Sequence, residues 1–258
     1  MSARVAYGRD GDLGSITIDA QPLNLFDREL TNDLIVAAGA AAQDGPRALV
    51  VRAEGKVFTG GVDVNVFHGL PGSEARVFAD ELIALTHTIE DLPFPTLAVV
   101  HGLCLTAGFE LALACDMIWA SESARFGLVE IVVGVTPFMG GTQRIAERAG
   151  PARARELVMT GGLYDSATLE RWNVINRVVA DDGLAEEAGR FAARLAAGPT
   201  AANAATKRIV RAQADEGTRG ADALTPDVAA ALFETEDLKN AVESFLRSGP
   251  GKASFQGR

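Results

Sequence analysis

The chain has 258 residues, 48% hydrophobic, 22% charged and 6% aromatic, which is enough apolar content for a sizeable buried core. Its formal net charge of -10 leaves no basic field to hold nucleic acid or an anionic membrane, and excludes both as expected partners. The two cysteines, Cys104 and Cys115, lie in apolar surroundings outside any C-x-x-C pair, which excludes a disulfide framework or a zinc site and fits a reducing compartment.

At the start, MSARVAYGRD has no apolar segment of signal-peptide length, and no uninterrupted run of about 18 apolar residues follows anywhere, so a cytoplasmic protein is expected. SITID (15–19) alternates like a strand, and LFDRELTNDLIVAAGAAAQ (25–43) has helical spacing with acids early. ALVVR (48–52) predicts a second strand, followed by the turn-rich AEGKVFTGG and a helical VDVNVFHGL. Residues 74–92 form a long amphipathic helix stopped by Pro93 and Pro95. TLAVV (96–100) and MIWAS (117–121) are the third and fourth strands, with ARFGLVE leading into a loop. Strand, crossover helix, strand repeated in this way implies an α/β fold with parallel strands buried on both faces.

Beyond about residue 140 the β signal fades. Residues 140–162 contain two short helices separated by Gly150-Pro151, and LAEEAGRFAARLAAG and the segment after Pro199 are helical. Thr225-Pro226 predicts one helix start, Thr235-Glu236-Asp237 another, and Gly249-Pro250 the stop. Leu238, Val242, Phe245 and Leu246 form an apolar stripe that packs either on the core or on another subunit. The predicted division is a core over 1–195 and a helical segment over 196–258.

HGLCLTAGFELALACD (101–116) carries the chemistry. A strand ending at Val100, a turn, and a helix beginning near Ala107 leave the first helical amides without internal partners at the positive end of the helix dipole, where developing negative charge is favoured. VFTGGVDV repeats the design, with Gly60 and Gly61 allowing close backbone approach and the Val62 amide next. One amide from each loop could hold one carbonyl oxygen; on spacing alone both loops are equally read as tight turns. A capping box with Thr106 needs an acid at 109, which is Phe109, so Glu110 is one residue out of register for that purpose, although dipole contact remains open to it. Glu130 sits among apolar residues in GLVEIVVGV, as a rim acid or as a buried one. Two carboxylates sharing an apolar pocket cannot both ionise freely, and such pairs suit proton transfer.

SITIDAQPLNLF, VFTGGVDV, HGLCLTAGFELALACD, FGLVEIVVGVTPFMGGTQRI and the tail FQGR, in this order, resemble the enoyl-CoA hydratase/isomerase, or crotonase, superfamily over nearly the whole chain. The resemblance implies a crotonase-like spiral of repeated ββα units with a helical C-terminal trimerisation segment. It implies an acyl-CoA thioester as substrate, no cofactor beyond the coenzyme A of that substrate, no metal, and a homotrimer or dimer of trimers. It places the oxyanion donors on the backbone amides of Val62 and Ala107. Glu110 would deprotonate a water that adds across the 2,3-double bond, and Glu130 would give a proton to the α-carbon. Gly61, Asp63, Gly108 and Phe138 become substrate-contacting positions, with Lys56 and Lys252 the nominated cations for the CoA nucleotide.

Three positions depart from the family pattern: Ala107 stands where glycine is usual, Phe138 where glycine usually flanks the water, and Asn65 where lysine is common. His68, His87 and His101 form no ligand spacing with the acids and are expected to be structural. An isomerase using Glu130 alone and a catalytically silent acyl-CoA-binding protein are the alternatives. A thiol hydrolase acting through Cys104 or Cys115 lacks an evident base, and no G-x-S-x-G, P-loop or G-x-G-x-x-G pattern occurs.

Overall fold

Alternation of Gly14, Ile16 and Ile18 toward the interior makes Leu13–Ile18 (β2) a half-buried strand, and it pairs antiparallel with Val5–Asp10 (β1) around Gly11. The computed structural model describes residues 4–258, so the first three residues of the predicted core lie outside the described residues. Asp27 caps Arg28–Asp44 (α1) by accepting from Leu30 N–H at 2.8 Å, and Gly45 ends the helix in the left-handed region. Ala48–Ala53 (β3), Gly72–Glu90 (α2), Thr96–Val100 (β4), Leu103–Leu105 (β5), Ala107–Ala114 (α3), Met117–Ser121 (β6) and Arg125–Gly127 (β7) follow.

These elements wind as a spiral. β2, β3, β4 and β6 are parallel neighbours in one six-stranded sheet, with β1 at one edge and Arg177–Val179 (β9) at the other. After each of these strands the chain adds a step to a second layer: Phe26 bridges Val62, Thr59 bridges Cys104 in β5, β5 pairs β7, and β7 pairs Tyr164–Asp165 (β8). Each passage then enters a helix, which is the expected repeated ββα unit. The period-two alternation places Leu49 and Val51 toward α1 and α2, while Val50, Leu97 and Trp119 face Leu184–Ala196 (α7) on the other side of the sheet.

Gly141–Ala149 (α4) and Pro151–Thr160 (α5) are the two short helices expected around Gly150, and Ser166–Arg171 (α6) is a third. Thr200–Leu232 (α8) and Glu236–Ser248 (α9) form the C-terminal region, and none of their residues joins either core cluster. Thr235 caps α9 by accepting from Leu238 N–H, and Gly249 ends it, as expected.

Thr225-Pro226 does not start a helix. Both residues lie inside α8, where the Thr225 hydroxyl donates back to the Ala221 carbonyl at 2.8 Å; the break comes earlier, at Gly217, with φ 74° and ψ 178°. The tail folds back on α9: the amides of Gln256 and Gly257 donate to Asp237 at 2.6 and 2.8 Å, and Asp237 N–H donates to the Arg258 carbonyl. Val242, Phe245 and Leu246 stay 50%, 58% and 80% exposed, so the stripe is not spent on the core. No helix among the described residues is long and apolar enough to cross a membrane.

Candidate active site

Two loops are locked together by backbone hydrogen bonds. Residues 58–63 run between the segment 23–26 and β5: Phe26 N–H donates to the Gly61 carbonyl, Asp63 N–H to the Phe26 carbonyl, and Thr59 N–H to the Leu103 carbonyl, each at 2.9 Å. The second loop leaves β5 at Thr106, whose amide donates to the Gly127 carbonyl at 2.9 Å. The start of α3 lies so close to the first loop that a Cβ on Gly108 would come within 1.7 Å of Thr59 Cγ2. Gly108 is therefore a packing necessity.

At this junction Val62 N–H donates to Thr106 Oγ1 at 2.9 Å, and the next residue after Thr106 is Ala107, whose amide opens α3 without a carbonyl one turn earlier in its own helix. Thr106 thus ties the Val62 loop to the residue that precedes the Ala107 amide. Its own backbone is strained, at φ 48° and ψ -126°, a conformation costing about 1–3 kcal/mol for a non-glycine residue. Its side chain makes no cap bond to the helix.

The Val62 amide does not begin a helix as expected; the segment after it closes only one 3-10 turn, Val64–Phe67. Asp63 caps that turn, accepting from the Asn65 amide at 3.0 Å and from Asn65 Nδ2 at 2.7 Å, so the side chain at the position where lysine was expected is tied to Asp63. Short polar residues that bond one another locally favour a turn over a longer helix.

Glu110 is 1% exposed on α3, and its Oε1 accepts from Met139 N–H at 2.9 Å and Gly141 N–H at 2.8 Å. A Cβ on Gly141 would lie 2.7 Å from Glu110 Cγ, so this glycine admits the carboxylate. Glu130 begins a 3-10 turn, Glu130–Val133, is 7% exposed, and neither carboxylate oxygen finds a hydrogen-bond partner among the described residues. The structure therefore assigns both predicted acids to buried positions.

Burial lifts Glu110 to about 8, with the neighbouring Glu130 charge adding to the rise and the Gly141 and Met139 amides opposing it. Burial lifts Glu130 to about 7 against the weaker opposing pull of its own backbone N–H. The Met139 and Gly141 amides favour charge on Glu110, whereas the Glu130 carboxylate has no hydrogen-bond partner of good geometry among the described residues and burial favours its protonated form.

Sequence reasoning missed the support behind Glu110. Arg144 on α4 forms a two-pronged ion pair with Glu90 at the end of α2, with Nε at 2.7 Å and Nη2 at 2.5 Å. Its Nη1 donates to the Met139 and Gly140 carbonyls at 3.1 and 3.2 Å. The arginine thereby fixes the loop whose amides hold Glu110. The residues lie 54 positions apart, and no local pattern in the sequence links them.

Other predicted positions are peripheral. Phe138 is half-buried, edge-on to Phe67 with ring centroids 5.8 Å apart. Lys56 is exposed after β3, while Lys252 is exposed on the tail that docks through Gly257 beside Arg47, before β3. His101 Nε2 bonds the Gly55 carbonyl at 3.0 Å. Burial pushes the Cys104 thiol well above its ordinary value and Cys115 up to about 12, so neither supplies a thiolate near neutral pH.

The family description "Enoyl-CoA hydratase/isomerase" matches residues 9–257. The chain belongs to the enoyl-CoA hydratase/isomerase family. A Rhizobium meliloti protein named "Probable enoyl-CoA hydratase" is 37% identical over 254 residues, covering 96% of each chain. A Syntrophomonas wolfei protein named "Crotonyl-CoA hydratase" is 32% identical, covering 84% of each. In three dimensions this family member is similar to enoyl-CoA hydratase subunit I of Geobacillus kaustophilus, with a TM-score of 0.92, 31% identity, and coverage of 99% of this chain and 98% of that one.

Proposed function

We propose that this chain is an enoyl-CoA hydratase that adds water to trans-2-enoyl-CoA thioesters to give 3-hydroxyacyl-CoA. The observation carrying the reading is the pair of buried carboxylates, Glu110 and Glu130, both shifted toward neutrality and unequal in their donors, beside two loops joined at Thr106.

Ionised Glu110 takes a proton from water as the water oxygen bonds to C3. The C2–C3 π pair moves toward the thioester, and negative charge grows on its carbonyl oxygen at the junction of the Val62 and Ala107 loops. Protonated Glu130 then gives its proton to C2 and the carbonyl re-forms. A preorganised donor to the oxyanion contributes about 3–4 kcal/mol to lowering the barrier, and each positioned acid or base about 10²- to 10⁴-fold in rate. All the bonds needed form within substrate, water and two side chains, with no cofactor invoked beyond the CoA moiety of the substrate.

The same reading proposes Lys56 for the CoA phosphates and Phe138, against Phe67, as a wall beside the water. It proposes self-association, as a trimer or dimer of trimers, through the exposed Val242, Phe245 and Leu246 face of α9.

The test follows loss of the conjugated thioester absorbance with short and medium trans-2-enoyl-CoA substrates. Glu110→Gln and Glu130→Gln are each expected to lower kcat about 10²- to 10⁴-fold. A flat trace for the unmodified protein at every chain length overturns the hydratase. Turnover of a 3-enoyl-CoA that survives Glu110→Gln and fails with Glu130→Gln replaces it with an isomerase.

A further inference from the structure

We propose that the Thr106 hydroxyl is itself a catalytic donor of the oxyanion site, taking the Val62 amide's hydrogen bond and passing its own proton-bearing bond to the thioester oxygen. The inference rests on the acyl-CoA reading above and deepens it.

Three observations carry it. Val62 N–H is already committed to Thr106 Oγ1 at 2.9 Å, so this amide reaches a substrate oxygen only by giving up that bond. A hydroxyl has one donor and two acceptor sites, and no acceptor for the Thr106 proton is found among the described residues. The oxygen also stands in the junction itself: a Cβ on Gly61 would fall 2.6 Å from Thr106 Oγ1, and the Ala107 amide follows it directly in the chain.

The backbone supports the same conclusion, since a β-branched residue is held at φ 48°, where glycine is the unstrained choice. That strain places a side chain where a bare backbone would leave only the amide. Accepting from Val62 polarises the hydroxyl and strengthens the bond it donates, as in any chain of hydrogen bonds. During water addition Thr106 keeps its proton throughout. In the proposed arrangement its O–H and the Ala107 N–H are the two donors to the oxygen on which the π electrons accumulate.

Thr106→Val keeps the shape and the β-branch and removes the donor. The expected result is a loss of about 10²- to 10³-fold in kcat with KM little changed, because the bond counts mainly in the transition state. Thr106→Ser, which keeps the hydroxyl, is expected to retain most of the activity. A Thr106→Val enzyme with the unmodified kcat overturns the proposal.

A second measurement needs no variant: the structure of the unmodified protein with butyryl-CoA. Thr106 Oγ at hydrogen-bond distance from the thioester oxygen, with Val62 N–H still on Oγ, supports the proposal. Val62 N–H directly on the thioester oxygen, with Oγ turned away, overturns it. Absence of hydration by the unmodified enzyme overturns the hydratase reading alone, and the butyryl-CoA complex still decides the role of Thr106.

Discussion

The two buried glutamates are held in opposite ways. Glu110 sits on a helix, in a loop of backbone donors, with Gly141 shaped around its side chain and Arg144 bracing that loop from behind. Glu130 opens a single 3-10 turn whose next three residues, Ile131, Val132 and Val133, are 45%, 78% and 51% exposed, beside an apolar cavity of about 540 Å³. Its carboxylate has no partner among the described residues. In the proposed hydration, Glu110 as the base that grips water needs a fixed position and an environment that tolerates charge, and Glu130 is cast as the acid. An acid that gives its proton to carbon needs an environment that resists charge, and an apolar turn without donors supplies it.

The largest expected effect comes from removing the brace. Arg144→Met leaves the half-buried Glu90 with the more exposed Arg211 at 3.2 Å as its remaining cation among the described residues, and is expected to destabilise by about 3–5 kcal/mol while lowering kcat. The double variant Arg144→Met with Glu90→Met separates the two losses. Stability should largely return, whereas kcat should stay low because the loop carbonyls at 139 and 140 have lost their donor. Thermal melts and steady-state rates on the same preparations check this, and recovery of both quantities would show that Arg144 serves the fold alone.

Next comes the pH dependence of stability. Both acids hold protons more tightly in the fold than their ordinary value of 4.5, so stability present at low pH is lost as pH rises through about 7 and about 8. Glu130→Gln removes one of these losses. Relative to the unmodified protein it should gain on the order of 3 kcal/mol between about pH 5 and pH 8.5. Comparison across pH cancels the cost of burying an amide without partners. The same pair predicts a kcat/KM optimum between the two values, falling on the acid side as the base protonates and on the alkaline side as the acid is lost. A stability profile that Glu130→Gln leaves unchanged would mean that its carboxylate is solvated.

Much of this asymmetry is legible along the chain, and the unread part has a common cause. The strands at 48–53, 96–100 and 117–121, the helix at Ala107 and both glutamates follow from local pattern, because each signal lies within a few residues. The strands β5, β7, β8 and β9 have only two or three residues each and exist through partners elsewhere in the sequence, so periodicity cannot reveal them. β1 was missed because it is an edge strand with one buried residue among exposed and half-exposed ones. The Arg144–Glu90 pair and the Val62–Thr106 bond join residues 54 and 44 positions apart. Thr225-Pro226 misled because a proline signal competes with a glycine break that the same helix makes at Gly217.

Glycine-to-alanine changes sharpen the contrast at a smaller scale. Gly141→Ala drives a methyl to 2.7 Å from Glu110 Cγ, which either displaces that carboxylate or strains the loop, at about 1–3 kcal/mol and, on the proposed mechanism, with a fall in kcat. Gly134→Ala, at the end of the Glu130 turn, meets nothing within 4 Å and costs only its φ of 78°, about 1–2 kcal/mol. Its kcat should be close to that of the unmodified enzyme. Equal falls in kcat would erase the distinction between a rigidly held Glu110 and a loosely set Glu130.

The smallest effect is expected at Val132. Its side chain is 78% exposed on the Glu130 turn, so Val132→Ser should change stability by less than about 0.5 kcal/mol. The informative quantity is kcat. Glu130 is oriented by the backbone of its own turn and by no hydrogen bond to its carboxylate among the described residues, so an exposed neighbour two positions away has no bonded route to the acid. Unchanged kcat alongside the fall in Gly141→Ala confirms that only one of the two carboxylates depends on a built support. A fall of similar size in Val132→Ser would mean that the packing of the turn's outer face positions the acid, and the two glutamates would then be held by equally exacting means.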